Sequence, residues 1–391
     1  KKLTPIMTFG KMPIANGFID KKDLKKEFFF DMSIGFSEDL SLLQLLDHPK
    51  PEAMFNNNYP FFTSSSRFMV DHFKSFSNWL KKNYSNHIKN IIEIGSNDGT
   101  FLLNFKGEDM NLIGFEPSSN VSDLAKKKGI NSVNDFFNTS SIKNYSNYIN
   151  QTDIICAANV ICHIPNLPDL FETINMCLNK NGLFIFEEPY LGSMFSKVSY
   201  DQIYDEHIYI FSATSISKIC SLYELELIDA IPQTTHGGSL RYVCGRKNHH
   251  KQSINVKKIL DQEKKMNLDN IESCLQFKKN CKNSKKKLRE KLIKFKMQNK
   301  KISGYAATSK STTILNYCDI GPDVIDYICD TTKEKIGKLS PGKHIPIKPM
   351  EYFYNNQPDV AFLFAWNHKK EIFEKEKEFS KKGEWMAHVE L

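Results

Sequence analysis

The segment Glu93-Ile94-Gly95-Ser96-Asn97-Asp98-Gly99-Thr100 joins a short apolar run to a stretch of helical pattern. A glycine at such a turn lets the backbone bend sharply and come close to a ligand with no Cβ between. Two acidic positions follow at the ends of the next two units. Glu116 closes Ile113-Gly114-Phe115-Glu116-Pro117, where its carboxylate can accept from a pair of ribose hydroxyls. Asp135 and Phe136 come next, suited to an adenine amine and to the face of its ring. The Gly-x-Gly-x-x-Gly spacing of a dinucleotide site is absent. A glutamate, a glycine turn, a second glutamate and an Asp-aromatic pair are the order an S-adenosylmethionine (SAM) pocket requires. Glu93, Gly95, Asn97, Gly99, Glu116, Asp135 and Phe136 are therefore the expected cofactor contacts. A bare structural turn is the plainer alternative.

These residues need a sheet to hold them. Ile91–Ile94, Leu112–Phe115, Asp153–Ala157 and Gly182–Glu187 are short apolar runs, with helical patterns at Val121–Lys128 and Leu167–Leu178 between them. Strands that alternate with helices predict a parallel, doubly wound α/β sheet. A further helix is expected at Ser215–Leu222, with late strands at Leu227–Ala230 and Leu240–Cys244. Alternation resumes after Lys301 through Ile302–Ala306, Thr312–Cys318, Val324–Cys329 and Val360–Phe364, a second and smaller α/β unit. The segment 1–65 reads as irregular, broken by Pro13, Gly17, Pro49 and Pro51, and a helix is expected to start near Ser64–Ser66. The resulting division is an N-terminal lobe (1–75), a cofactor domain (76–250), a helical lysine-rich bridge (251–300) and a C-terminal Rossmann-like lobe (301–391).

Bulk composition narrows the function classes. The chain has 391 residues, 40% of them hydrophobic, and carries a formal net charge of +8. No apolar run reaches the ~20 residues that span a bilayer, and Lys1-Lys2-Leu3-Thr4-Pro5 lacks the apolar stretch of a leader. The expectation is a cytoplasmic protein with no membrane partner, a monomer or weak homo-oligomer. The nine cysteines form no Cys-x-x-Cys pair, so neither a disulfide framework nor a zinc ribbon is expected. Lysines crowd 257–301, including Lys278, Lys279, Lys282, Lys285, Lys286 and Lys287. Such a run is ordinarily a solvated helix face. A cationic rim for an anionic substrate is the sharper reading, and no nucleic-acid-binding motif accompanies it.

Several further motifs occur in one order: Gly10-Lys11-Met12-Pro13-Ile14-Ala15-Asn16, the loop at Glu93–Thr100, Asn159-Val160-Ile161-Cys162-His163-Ile164-Pro165, Tyr200-Asp201-Gln202-Ile203-Tyr204-Asp205-Glu206-His207, His236-Gly237-Gly238-Ser239-Leu240-Arg241, Asn316–Pro322 and Ala365-Trp366-Asn367. In this set the chain resembles, nearly end to end, the SAM-dependent C-methyltransferases of nucleotide-linked keto-deoxysugars. The resemblance implies a class I methyltransferase sheet between a zinc-binding N-terminal lobe and a Rossmann-like C-terminal lobe. It departs in the first lobe. The family's Cys-x-x-Cys gives way to Ser37-Glu38-Asp39-Leu40, and no cysteine precedes Cys156. Ser37 and Leu40 cannot ligate zinc, so a metal-free lobe held by packing is expected.

Methylation of a carbon beside a carbonyl requires a base for the carbon proton and donors for the enolate oxygen. A histidine near neutrality fits the first need. By resemblance His207 is the base, Tyr204 the donor and Glu206 an orienting acceptor, and Asn159 joins the cofactor residues. A loop histidine satisfying backbone groups is the blander reading of His207. His236 is its competitor and, with Ser239, is assigned to the sugar; Arg241 is either a support behind the site or a phosphate partner. His163 is expected on the wall beside SAM, with a capping or core role as the alternative. Tyr59 and Thr63 are expected to compensate for a tyrosine that the family carries where Phe61 and Phe62 stand. Ser309, Lys310 and Ser311 open a helix and are read as a diphosphate cradle, with Lys335, Lys338 and Lys343 near. The expected substrate is thus a nucleotide-diphosphate sugar. The rival functions are O- or N-methylation of such a sugar, a non-catalytic SAM- or nucleotide-sugar-binding relic and, least favoured by the glycine spacing, an NAD-dependent oxidoreductase.

Overall fold

The computed structural model describes residues 2–55, 57, 59, 61–84 and 88–391, and the side chain of Ala53 is not among what it describes. Asn56, Asn58 and Pro60, in stretches singled out above, lie outside the described residues. The N-terminal lobe is more regular than expected. Strands β1 (Thr4–Pro13), β2 (Phe29–Ser37) and β3 (Leu42–Leu45) form an antiparallel sheet, completed by a short strand from much later in the chain. The β1–β2 register slips between Pro5 and Met7 and again between Thr8 and Gly10. These bulges leave the adjacent Ile6 and Met7 both buried, which breaks the period-2 pattern that announces a strand.

The central sheet contains β4 (Asn90–Ile94), β5 (Asn111–Phe115), β6 (Ser132–Val133), β7 (Thr152–Ala158) and β8 (Leu178–Pro189). Strand β9 (Tyr209–Ile210) pairs with β3, and β10 (Leu225–Gln233) and β11 (Ser239–Arg246) return to the central sheet. Its order is β10-β11-β8-β7-β4-β5-β6, parallel except for β11, which runs antiparallel to both neighbours. This is the strand order of a class I SAM methyltransferase. The order reverses between β4 and β7, so a crevice opens at the carboxyl end of β4, where open α/β sheets bind ligands. The strands read as unbroken apolar runs because helices cover both faces. Ile91 and Ile92 alternate between two cores, one under the Arg67–Tyr84 helix and one under the Leu167–Cys177 and Ala213–Ser221 helices.

Helices Ile254–Lys265 and Ile271–Met297 form the bridge. The longer one buries Cys274, Phe277, Cys281, Leu288, Leu292 and Phe295, a helical stripe that turns many of its lysines to solvent. The last lobe is a parallel sheet of β12 (Ile302–Tyr305), β13 (Ile328–Cys329), β14 (Ile347–Lys348), β15 (Val360–Leu363) and β16 (Glu384–Met386), in the order β14-β13-β12-β15-β16. The strand expected over Val324–Cys329 is shorter, because Val324 and Ile325 instead turn back onto the Gly321 carbonyl. The first and last lobes share one core with the longer bridge helix. Met12, Met32 and Phe36 of the N-terminal sheet pack with Phe277, Ile314 and Phe364, and the Phe9 and Tyr317 rings lie 4.9 Å apart. Burial of each such side chain is worth about 1.5–3 kcal/mol. The N-terminal sheet therefore sits on the last lobe, and its loop after β1 reaches the crevice of the middle one.

Candidate active site

One cavity of about 950 Å³ runs between the three lobes. The carboxyl ends of β4 and β7 form one wall and the segment after β12 the other, with Asn16 and Tyr59 contributed by the first lobe.

At the cofactor end the glycine loop is built mainly on side-chain to backbone bonds. Asn97, at φ +47°, receives the Thr63 N–H on its Oδ1 at 2.9 Å and donates its Nδ2 to the Phe61 carbonyl at 3.1 Å. Asp98 accepts the Thr100 hydroxyl at 2.6 Å and the Ser64 N–H at 3.1 Å, and pairs with Lys128 at 3.1 Å. Segment 61–64 is thus fastened onto the loop. Gly95 lines the cavity at φ +66°, and a Cβ there would meet Val160 Cγ2 at 2.4 Å. The missing side chain makes room for Val160. Gly99, at φ +76°, does not line the cavity; its close neighbours are Ile130 and Ala125. Glu116 lies in the wall and already receives the N–H groups of Asn97 at 3.0 Å and Ser118 at 2.8 Å. Each carboxylate oxygen has a second lone pair left for a hydroxyl. Burial raises the pKa of Glu116 and, further, that of Glu93. Glu93 Oε2 and Asn159 Oδ1 are buried with no partner among the described residues. Phe136 lines the cavity. Unsatisfied acceptors, a wall glutamate with lone pairs to spare and an aromatic ring fit SAM.

Asp135 is exposed, caps the N–H of Phe136 and lies outside the cavity lining. The strand before it is only two residues long, so the chain turns away before Asp135 can face inward.

Toward the middle of the cavity stand Tyr204 and His207. Tyr204 Oη is 2.7 Å from His207 Nε2, and His207 Nδ1 is 2.7 Å from the Gln202 carbonyl. A carbonyl can only accept, so Nδ1 carries the proton and Nε2 offers its lone pair to the tyrosine hydroxyl. His163 stacks on His207 at 5.3 Å, and Phe55 stacks on the other face of His163 at 5.6 Å. The basicity of His207 departs from expectation. Burial, helped by the neighbouring His163, holds its pKa well below the usual histidine range. Burial also lowers His163 to about 4 and His236 to about 3. Glu206 does not bond to Tyr204 or His207. It accepts Asn16 Nδ2 at 2.8 Å, and burial raises its pKa. His236, at φ +51°, lines the cavity and gives its carbonyl to Gln202 Nε2 at 2.5 Å.

The same motif's other members point elsewhere. Arg241 is 4% exposed, bonded to Glu187 through Nε at 2.7 Å and Nη2 at 2.5 Å, with Phe76 and Trp79 rings 4.0 and 4.7 Å away. The β8–β11 register sets it opposite Glu187. Ser239 Oγ is spent on the Thr235 carbonyl and Ser311 Oγ on that of Thr308. None of these three lines the cavity.

On the opposite wall Ser309, Lys310 and Lys335 face the cavity, whereas Lys343 pairs with Asp319 at 2.5 Å and Lys338 is not among the lining residues. Lys310 is buried, which lowers its pKa, and its nearest bonded acceptor is Asn367 Oδ1 at 3.5 Å. Lys335 donates to the Ala307 carbonyl at 2.8 Å. The sequence reading missed Asp330, at the carboxyl end of β13, which fixes the loop through the Ala307 N–H at 2.6 Å. Its signal was the acid that follows the second strand of an α/β unit, the pattern already used for Glu116.

Zinc finds little in the first lobe: residues 1–55 hold no cysteine, and His48 is their one histidine. Among the described residues, Cys162, His163 and His207 bring three potential ligand atoms within 4.8 Å of one another. Both His207 nitrogens there are engaged by Tyr204 and Gln202.

Three family models match the chain in succession: a putative zinc binding domain over residues 1–55, a methyltransferase domain over 62–230 and a C-methyltransferase C-terminal domain over 234–389. The C-methyltransferase NovU of Streptomyces niveus is 25% identical over 384 residues, covering 97% of this chain and 90% of that protein. Similar solved structures include the PH0226 protein of Pyrococcus horikoshii, with 13% identity, a TM-score of 0.39 and coverage of 48% of this chain and 95% of that one. Another is the magnesium protoporphyrin IX methyltransferase of Synechocystis, with 11% identity, a TM-score of 0.34 and coverage of 46% and 79%. By its strand order, its glycine loop and three consecutive family models, the chain is a SAM-dependent methyltransferase that is similar, over nearly its whole length, to the C-methyltransferases.

Proposed function

We propose that the enzyme methylates the carbon beside the keto group of a nucleotide-linked deoxysugar, through an enolate generated by His207. SAM, when bound, supplies the electrophilic methyl. One observation carries the reading: a tyrosine–histidine pair of fixed tautomer shares a cavity with the cofactor loop and with the buried Lys310. In this mechanism the Nε2 lone pair takes the carbon proton, and the Tyr204 hydroxyl turns from Nε2 to the sugar's carbonyl oxygen. A histidine of lowered basicity is a weak acceptor, so most of the barrier must be removed at that oxygen. The neutral His163 is placed to help there. Lys310, Ser309 and Lys335 hold the diphosphate, which gives the buried ammonium of Lys310 the anion it lacks.

Cys-free residues 1–55 lead us to propose a first lobe that works without zinc, its place taken by the core shared with the last lobe. The function is tested by incubating the protein with SAM and a panel of nucleotide-linked 4-keto-6-deoxysugars. A methyl mass gain located on carbon supports the reading; transfer to oxygen or nitrogen, or none across the panel, contradicts it.

A further inference from the structure

The residues just before the catalytic tyrosine face a different lobe. Asp201 is wholly buried, two positions ahead of Ile203, and each of its oxygens receives a donor from the last lobe. Trp366 Nε1–H donates to Oδ2 at 2.7 Å and His388 Nε2–H to Oδ1 at 3.0 Å. The side chains of His388 and Asp201 are each 1% exposed. Both donors sit past the carboxyl ends of adjacent parallel strands, Trp366 after β15 and His388 after β16. The His388 ring also meets Tyr200 edge-on at 5.1 Å.

Gln202, the next residue, faces the opposite way. Its carbonyl takes the His207 Nδ1 proton and its amide holds the His236 carbonyl. Trp366 itself lies against Gly237, where a Cβ would meet the indole at 2.1 Å, and Lys310 Nζ stands 5.5 Å over its ring. Asp201 is thus the point at which the last lobe grips the loop whose Gln202 holds both His207 and the His236 turn. We infer that His388 is a positioning residue: by clamping Asp201 with Trp366, it holds Gln202 where its carbonyl fixes the productive His207 tautomer. A buried carboxylate stripped of one donor must find another or move, and sub-ångström displacement of a catalytic group is costly in rate.

The test compares His388→Ala, His388→Gln, whose amide can still donate to Asp201, and Trp366→Phe, with the full chain in each case. The ring nitrogens of His207 and the indole N–H of Trp366 are followed by ¹⁵N NMR, and SAM affinity by calorimetry. Expected are displaced His207 and Trp366 signals in His388→Ala, wild-type-like signals in His388→Gln, and SAM affinity within about twofold in both, since Asp201 lies outside the cofactor end of the cavity. Trp366→Phe should likewise displace the His207 signals. On whichever sugar of the panel turns over, kcat should fall about 10- to 100-fold in His388→Ala with KM little changed, and recover to within about threefold in His388→Gln. Unmoved His207 signals in His388→Ala, or a folded His388→Gln that fails to restore them, overturn the inference. The turnover arm rests on the sugar reading above and the NMR arm does not, so failure of one is distinguishable from failure of the other. If His388→Ala does not fold, the glutamine and Trp366→Phe variants decide alone.

Discussion

Arg241→Met separates a structural role for this arginine from a substrate role. The side chain bridges Glu187, at the end of β8, to the aromatic face of the Arg67–Tyr84 helix, while His72 Nε2 holds the other Glu187 oxygen at 2.5 Å. Methionine keeps most of the apolar volume but leaves a buried carboxylate with one partner in place of two. Breaking a buried ion pair in this way costs about 3–5 kcal/mol. At roughly 2–4 °C per kcal/mol for a domain of 150–250 residues, the methyltransferase domain should melt about 6–20 °C lower near pH 7. The sign of the pH dependence follows from Glu187. In the wild type its pKa is lowered, chiefly through His72 and Arg241 acting against burial. The stability it contributes is therefore present above the ordinary carboxylate range and lost as pH falls through the lower folded value. Without the guanidinium, burial pushes that pKa up instead, so the variant's deficit should shrink as pH is lowered from 7 toward 4.5. Pairing Arg241→Met with Glu187→Gln should recover more than half of the loss. Calorimetric melting across pH, with SAM titration at 20 °C, measures all of this. Undiminished melting temperature combined with lost binding of a nucleotide sugar would refute the structural assignment and restore Arg241 as a substrate contact.

Gly95→Ala forces a left-handed alanine against Val160 and should cost about 2–4 kcal/mol in melting experiments; pairing it with Val160→Ala should return about half. Glu116→Ala should weaken SAM binding at least about tenfold by calorimetry, whereas Asp135→Ala, outside the cavity, should leave it within about twofold. His207→Ala should abolish turnover while SAM affinity stays within a few fold, and retained turnover removes it as the base. Because the His207 pKa lies well below 6.5, its neutral form persists on acidification, so its protonation should not depress kcat/KM between pH 8 and 6. An acid limb with a midpoint near 6.5, matched by titration of the His207 ring nitrogens in ¹⁵N NMR of the wild type, would contradict that.

The central sheet was legible because its strands are buried on both faces and so appear as apolar runs closed by a glycine or an acid. Glu93 and Glu116 could be located for that reason, each at or just past a carboxyl strand end, whereas the Tyr204–His207 motif was read from the family resemblance. The first lobe was not legible, since the β1 bulges hide its alternation and its core partners lie far along the chain, in Phe277, Ile314 and Phe364. Ser239, and Arg241 as a phosphate partner, were misplaced for a different reason. Their motif signals a close approach at Gly237 and Gly238, but the occupants are the Trp366 ring and the Ser193 side chain, and cross-strand register, invisible locally, turns Arg241 onto Glu187. Ser311 is an ordinary first-turn serine whose hydroxyl closes on Thr308. The depression of His207 basicity was likewise out of reach, because it depends on burial and on a histidine 44 positions earlier, His163.

In the proposed reaction this cavity joins the transferred methyl to a sugar carbon. The direct measurement uses SAM labelled with ¹³C in the methyl, a nucleotide-linked 4-keto-6-deoxysugar and carbon-detected NMR of the product. Expected are a methyl resonance in the aliphatic range, correlated through long-range coupling with the protons of the neighbouring ring carbons, solvent deuterium entering that carbon's position in the unmethylated sugar when SAM is withheld in D₂O, and neither signal in His207→Ala. A label found only in the methoxy or N-methyl range would contradict it.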